Sequence, residues 1–289
     1  MNDYIKTVIQ AIIQGLTEFL PVSSSGHLSV AQHFMGAGGE SLSMSVFLHM
    51  GTLLAVLVSF REAVFGIIRE FFLTVADAFT GKFSWREMNG DRRMMFMVII
   101  GTLPLFPAVF FKDYLTAPAA DGDIIFEGCA FIFTAMVLFM ADSCVKGVKK
   151  PENMKIKDAV TVGVFQCIAL FPGVSRSGST ISSGLFCGLS RKTAVTFSFM
   201  LGIPAILGAS LLEMKEIAGG ESAAEGYNPV SMGIGFVIAA IVGIFAIKFV
   251  KMLIKKEKFK IFAVYTLTLG IACVGWGVFE TVTGISVKL

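Results

Sequence analysis

QGLTEFLPVSSSGHLS, residues 14–29, places a carboxylate, four serines and an imidazole within one short stretch. The chain around it makes those groups costly. Of its 289 residues 55% are hydrophobic and 16% charged, with a mean hydropathy of +0.76, far from the balance of a soluble domain. Runs 42–60, 94–111, 193–212, 230–247 and 261–279 hold no Lys, Arg, Asp or Glu, and each approaches the roughly 20 residues that a helix needs to cross a bilayer. A sixth, 124–141, is interrupted by Glu127 alone. The polar stretch therefore belongs to a polytopic membrane protein. The opening MNDYIKTVIQ has one Lys, an early Asp and no small-residue cleavage site, so it is expected to stay in the mature fold. Cys129, Cys144, Cys167, Cys187 and Cys273 form no CxxC pair and are expected to pack as small apolar groups, with no disulfide and no thiolate metal site.

A second stretch, QCIALFPGVSRSGSTIS at 166–182, repeats the first. Sliding the chain by 152 positions lays Gln14, Phe19, Val22, Ser23, Ser25 and Gly26 on Gln166, Phe171, Val174, Ser175, Ser177 and Gly178, and further on Phe34, Gly36 and Phe47 on Phe186, Gly188 and Phe199. Three crossings separate the copies, an odd number, so the second is inverted relative to the first. Inverted repeats place a shared site near the membrane midplane. In each copy a helix, 4–20 or 157–171, meets a Pro and a Ser/Gly run, after which about ten apolar-patterned residues lead to Gly36 or Leu189. At 1.5 Å per residue such a piece covers about 15 Å, half a bilayer. The pattern predicts two re-entrant helix pairs, 4–36 and 157–189, and six full spans: one all-α membrane domain made of repeats 1–150 and 151–289.

If the spans alternate, 19 of the 24 Lys and Arg fall on one side, in the connections around 61–93, 146–157, 191–192 and 248–260, against Lys6, Lys112, Lys215 and Lys288 on the other, with Arg176 apart. Positive residues gather in the cytoplasm, so both termini are expected outside. The stretch 61–93 reads as an amphipathic surface segment. A net charge of +3 gives no reason to expect a nucleic-acid partner.

The turns have the chemistry of anion sites. Pro21 and Pro172 end the first helix of each pair, Ser23 and Ser175 are good N-caps, and Gly26 and Gly178 permit close backbone approach. Free N–H groups at such a helix start would face a phosphate, although capping alone uses the same geometry. Glu18, His27 and Arg176 are ionisable at membrane depth, which suggests function and a nearby partner. Gln14 and Glu18, four apart, share a helix face. In the alignment Ser24 faces Arg176, His27 faces Ser179 and Glu18 faces Leu170, so the first copy supplies hydroxyl, imidazole and carboxylate and the second supplies a guanidinium. Such a set suits phosphoryl transfer. Ser45, His49 and Thr52 form a further polar stripe at helical spacing, as fit for bonding neighbouring helices as for a site; His33 reads as interfacial, and Pro104, Pro107 and Pro204 as kinks.

QGLTEFLPVSSSGH resembles the first signature of the undecaprenyl-diphosphatase, or bacitracin-resistance, family, and PGVSRSGST resembles its second. The resemblance implies a polytopic enzyme of the bacterial plasma membrane that removes the terminal phosphate of a C55 polyprenyl diphosphate at the outer face, recycling the lipid carrier of cell-wall synthesis with Mg²⁺ or Ca²⁺ as cofactor. Many relatives carry Glu where this chain has Gln14. By position, the resemblance implies that Glu18 is the essential carboxylate and a metal ligand, with Gln14 beside it, and that Arg176 clamps the diphosphate. Ser24 would attack with His27 as its base, or His27 would itself be phosphorylated. Ser23, Ser25, Gly26, Ser175, Ser177, Gly178 and Thr180 would contact phosphate oxygens. The implied partners are the lipid substrate and the membrane, with a homodimer among the permitted assemblies. The rival reading of an inverted repeat is a transporter or flippase of a lipid phosphate or anion.

Overall fold

The protein is described from a computed structural model that covers residues 3–35, 42–85, 87–111, 114–115, 117, 123–144, 146–219, 228–255 and 258–284. Gly36, expected to close the first helix pair, lies outside the described residues, as do the loop cations Arg86, Lys112, Lys256 and Lys288. Among the described residues the chain is helical and forms no strand: α1 (Asp3–Thr17), α2 (Ser24–Met35), α3 (Leu42–Ser59), α4 (Arg61–Thr80), α5 (Gly90–Thr102), α6 (Leu105–Val109), α7 (Ile125–Ser143), α8 (Ile156–Ile168), α9 (Arg176–Phe186), α10 (Arg191–Ala218), α11 (Pro229–Lys255) and α12 (Lys260–Thr283). Six segments are long and apolar enough to cross a membrane: α3, α5 continued by α6, α7, α10, α11 and α12. These are the six runs singled out from the sequence.

α1 and α8 stop three residues short of the ends expected for them. α1 ends at Thr17 and α8 at Ile168, ahead of Pro21 and Pro172. Proline lacks a donor and disfavours the helical region for the residue before it, so each chain unwinds in advance. At 1.5 Å per residue, α1, α2, α8 and α9 come to about 22, 18, 20 and 16 Å, all below the ~30 Å of a bilayer core. Pro104 breaks the helix between α5 and α6, whereas α10 continues through Pro204.

Packing follows small residues. α7 and α12 lie against each other where Gly128 faces Gly270: a Cβ on Gly270 would fall 2.7 Å from the Gly128 carbonyl oxygen, and one on Gly128 2.9 Å from that of Gly270. Close backbone approach of this kind drives association in lipid, where burial of apolar surface contributes little. α1 and α3 pack on α11, α8 and α10 pack on α5, and α3 also meets α10. In the main core Phe19 sets its edge against Phe199 at 5.7 Å, and Phe199 meets Phe60 at 5.1 Å. That anchors the turn after α1.

α4 follows α3 after Phe60 alone and exposes Phe65, Phe72 and Phe79, the amphipathic surface segment expected of 61–93. Arg92 ties it to α5, its Nε and Nη1 each 2.8 Å from Glu70 Oε2 and Asp77 Oδ2.

Candidate active site

Two turns meet at the centre of the molecule. After α1 the segment 18–22 reverses the chain, and Ser23 takes φ = 71°, a left-handed conformation uncommon for a residue with a Cβ and a mark of functional sites. Its hydroxyl accepts from the Gly26 N–H at 3.3 Å. In the second turn Gly173 takes φ = 84°, and Ser175 Oγ accepts from the Gly178 N–H at 3.0 Å. Both serines thus cap a helix start, as expected of Ser/Gly turns. The turns also touch. Ser177 Oγ donates to the Leu20 carbonyl at 2.9 Å, and the Gly173 N–H donates to Ser25 Oγ at 3.3 Å. α7 backs both: a Cβ on Gly26 would come within 2.7 Å of the Phe131 ring and 3.0 Å of Gly173 Cα, and the Ser175 N–H donates to Thr134 Oγ1 at 3.1 Å.

At this junction Arg176 Nη2, first residue of α9, donates to Glu18 Oε1 at 2.7 Å. Ser24 Oγ donates to Glu18 Oε2 at 2.7 Å and Gln14 Nε2 to the same oxygen at 3.1 Å. Residues 158 positions apart are thereby joined in one buried cluster. Both carboxylate oxygens are engaged, as a charge at this depth requires. Gln14 Oε1 and Arg176 Nη1 are buried without a hydrogen-bond partner, so the cluster retains one acceptor and one cationic donor to offer.

A cavity of about 270 Å³ adjoins the cluster, lined by Gln14, Ser24, Ser25, Leu28, Ser29, Gln32, Ser45, His49 and Glu213. Liquid water occupies about 30 Å³ per molecule, so the space admits several waters or a small anionic group.

The residues singled out in the sequence divide into two groups. Gln14, Glu18, Ser24 and Arg176 come together. His27 does not line the cavity: its Nδ1 is 2.6 Å from the Ser23 carbonyl oxygen and its Nε2 2.8 Å from the Tyr265 hydroxyl, with the two rings stacked at 5.7 Å. Ser175, Ser177 and Thr180 direct their hydroxyls into the protein, Thr180 to Ser198 Oγ at 2.6 Å. Thr52 donates to the His49 carbonyl of its own helix at 2.8 Å, and His33 meets Glu280 at 2.8 Å. Glu213 and Tyr265 gave no signal in the sequence, and Glu127 only interrupted an apolar run; it is fully buried and accepts from Ser29 Oγ at 2.6 Å. Among the described residues no three His, Cys, Asp or Glu side chains gather as a metal cage.

Comparison with known proteins bears on this geometry. Residues 7–272 match the family described as "Bacitracin resistance protein BacA". The chain is 40% identical over 268 residues to the undecaprenyl-diphosphatase of Alkaliphilus metalliredigens, covering 92% of this chain and 95% of that one. It is 38% identical over 272 residues to the undecaprenyl-diphosphatase of Methanobrevibacter smithii, and 37% over 272 residues to undecaprenyl-diphosphatase 2 of Stutzerimonas stutzeri, in both cases over 93% of this chain and 96% of the relative.

Proposed function

We propose that this chain, which belongs to the BacA bacitracin-resistance family, hydrolyses undecaprenyl diphosphate to undecaprenyl phosphate and inorganic phosphate. The observation that carries the reading is the buried Glu18–Arg176 pair at 2.7 Å with the Ser24 hydroxyl 2.7 Å from the same carboxylate. A nucleophile, an acceptor for its proton and a fixed cation form one cluster beside a polar cavity. A carrier of lipid phosphate or of an anion is not favoured, because the relatives are diphosphatases by name.

Substrate phosphate draws the Arg176 guanidinium away from Glu18, since a planar cation fits phosphoryl oxygens as well as it fits a carboxylate. Glu18 Oε1 is thereby freed, and Oε2 takes the Ser24 proton through the existing hydrogen bond. Ser24 Oγ attacks the terminal phosphorus; the Oγ–P bond forms as the bond to the bridging oxygen breaks, and that oxygen leaves with the electron pair on the lipid monophosphate. Arg176 meets the charge that spreads over the transferred oxygens. Water then attacks the phosphorus of phospho-Ser24 and passes a proton through an intervening water to His27, which stands off the cavity. Nδ1 of that ring donates to the Ser23 carbonyl, leaving Nε2 as its basic nitrogen once the Tyr265 hydroxyl lets go. Glu18 returns its proton to Ser24 Oγ as the Oγ–P bond breaks, His27 gives its proton to solvent, and phosphate departs. Ser23, Ser25, Gly26, Ser175, Ser177, Gly178 and Thr180 hold the two turns in this relation.

The donor set fits Mg²⁺ or Ca²⁺. Gln14 Oε1 is a buried oxygen without a partner, and with Glu18 it would hold a hard cation whose remaining ligands are phosphate and water. Such an ion, when bound, neutralises phosphate charge.

In this reading 1–150 and 151–289 are inverted copies whose re-entrant pairs are α1–α2 and α8–α9. The exchange of partners supports it: α1 and α3 pack on α11 while α8 and α10 pack on α5, and the equivalents α3 with α10 and α7 with α12 pair with each other. The uneven spread of Lys and Arg, 19 against 4, supports both termini outside; the enzyme is placed in the bacterial plasma membrane, its cavity open to the external face, as part of the same proposal.

The test is phosphate release from a polyprenyl diphosphate by detergent-purified protein with Mg²⁺ or Ca²⁺. Wild type should release phosphate and Arg176→Ala at least about a thousandfold less, the scale of an arginine that meets phosphoryl charge. No release by wild type, or full activity in Arg176→Ala, overturns the assignment.

A further inference from the structure

α4 turns its apolar residues the opposite way from a helix that meets water. Phe65, Ile68, Phe72, Val75 and Phe79 follow one another at intervals of three and four, so they form a single stripe, and all five are exposed, Phe65 to 69% and Phe79 to 89%. The other face is occupied. Ala63, Val64 and Ile67 pack on the main core, and Glu70 and Asp77 hold Arg92. The carboxylates of the second half of the helix are thus turned to the protein and its rings away from it.

At 1.5 Å per residue the stripe runs for about 21 Å, and monomeric proteins in water rarely leave so continuous an apolar surface open. α4 is not a further crossing. Arg61, Glu62, Arg69, Glu70 and Asp77 fall within it, and it lies across the start of α5 instead of alongside it. Gly66, Glu70 and Asp77, spread over three turns, all meet the first turn of α5, where a Cβ on Gly66 would fall 2.6 Å from Asp91 Oδ2 and Arg92 holds both carboxylates at 2.8 Å. α4 therefore leaves the end of one candidate span, α3, after Phe60 and runs over the end of another. Its exposed charges fit one kind of surface: between 61 and 82 Arg61, Arg69 and Lys82 are exposed and positive, against Glu62 alone. Phe83 and Trp85, which follow the helix, are exposed and pack on Phe96 of α5 at 5.9 and 5.3 Å, and Trp is a residue of membrane interfaces.

We propose that α4 is an interfacial helix: its stripe lies in the acyl boundary of one leaflet, the one expected to be cytoplasmic, and Arg61, Arg69 and Lys82 bind the phosphates of anionic lipids there. Helices that lie in a membrane surface sink an apolar face a few ångströms and keep their cations at headgroup level, where each cation attracts anionic lipid. The contact is separate from the reaction and stands whether or not the chain hydrolyses a diphosphate.

The test is quenching of tryptophan fluorescence by brominated lipid. Trp85 and Trp276 are replaced by Phe, a single Trp is introduced as Phe72→Trp, and the full chain is reconstituted in bilayers of phosphatidylcholine and phosphatidylglycerol brominated on the acyl chain either near the headgroup or near the bilayer centre. Ile241→Trp, exposed at the middle of the apolar span α11, is the reference. Phe72→Trp should be quenched by the shallow bromine at least about twice as strongly as by the deep one, and Ile241→Trp the reverse. With bromine carried on one lipid class at a time, Phe72→Trp should sense phosphatidylglycerol about two- to fivefold beyond its share of the bilayer, and Arg61→Gln/Arg69→Gln/Lys82→Gln should bring that ratio to about one while shallow quenching persists. The melting temperature should stay near wild type throughout, because the replaced side chains are exposed. Absence of quenching at Phe72→Trp would mean that water or protein, not lipid, meets the stripe. Quenching that appears only when the protein is diluted in lipid would assign the stripe to a second copy of the chain, and deep quenching equal to that of Ile241→Trp would make α4 a seventh crossing. Each of these results overturns the proposal, as does an equal response to the two lipid classes.

Discussion

Glu18 and Arg176 are each other's reason for being tolerated in the protein interior, and that dependence can be tested. Removing one member of a buried pair leaves the other uncompensated, at a cost of roughly 3–5 kcal/mol. Glu18→Ala should therefore unfold well below wild type in detergent, and Glu18→Ala/Arg176→Ala should recover part of the difference; equal melting of the single and double variants would mean that the pair contributes nothing to stability. Gly202 offers a finer probe. A Cβ there would overlap the Arg176 guanidinium, the far end of a flexible side chain, so the fold can absorb Gly202→Ala but Arg176 must move. Phosphate release should fall about tenfold or more, since small misplacement of a charge-bearing group is costly to catalysis, while the melting temperature stays near wild type. Activity at the wild-type level would show that the position of Arg176 is not critical. Ionisable residues at this depth are legible in sequence because they are expensive. Glu213 was not, because it directly follows the charge-free run 193–212 and reads as the start of a loop. Tyr265 was hidden too: it contacts His27 across 238 positions, and no local pattern announces a bond of that range.

At the scale of elements, proline and serine marked the turns and the 152-residue repeat marked their kinship, but not that the turns would interlock. That depends on glycines whose neighbours lie in other helices. Gly26 is the critical one: its Cβ would meet both an aromatic ring and the Gly173 backbone, and backbone cannot swing aside. Gly26→Ala should part the turns, destabilise by about 1–3 kcal/mol as other overpacked sites do, and lower phosphate release; a fully active, equally stable Gly26→Ala protein would show that the turns need not touch. On the other side of the molecule the junction of α4 with α5 gives a pH dependence. Burial pushes the Glu70 carboxyl up, but hydrogen bonds from Asn89 and Arg92, with the Arg92 charge, outweigh it and hold the group below its ordinary value. A carboxyl depressed in the folded state adds stability that is full above its unfolded value and is lost as pH falls through the folded one. Wild type should therefore lose more melting temperature than Glu70→Gln on acidification below about pH 4, the ordinary carboxylate range. Parallel curves would mean that Glu70 titrates as it does in the unfolded chain.

At the scale of the whole molecule, hydropathy made the six spans readable because a bilayer admits few alternatives. Helix partners were not readable, since they turn on single small residues: Gly15 lets α1 approach the Ala239 carbonyl of α11, and Gly163 lets α8 approach the Gly101 carbonyl of α5. Orientation stands between these cases, carried by the distribution of Lys and Arg, and it decides where phosphate is released. Lys150 lies exposed in the connection between α7 and α8, on the side expected to be cytoplasmic, whereas Gln32 on α2 lines the cavity. Each position can carry a single cysteine in a background where the five native cysteines are replaced, and a charged, membrane-impermeant thiol reagent can be applied to intact cells. Gln32→Cys should react from outside and be protected by a polyprenyl diphosphate, because both enter the same space. Lys150→Cys should react only after the membrane is opened. A single added cysteine leaves a charge bias of 18 to 4 in place of 19 to 4, too lopsided to invert the chain, so the labelling reports the native arrangement. If Lys150→Cys were labelled in intact cells and Gln32→Cys were not, the cavity would face the cytoplasm and phosphate would be released there.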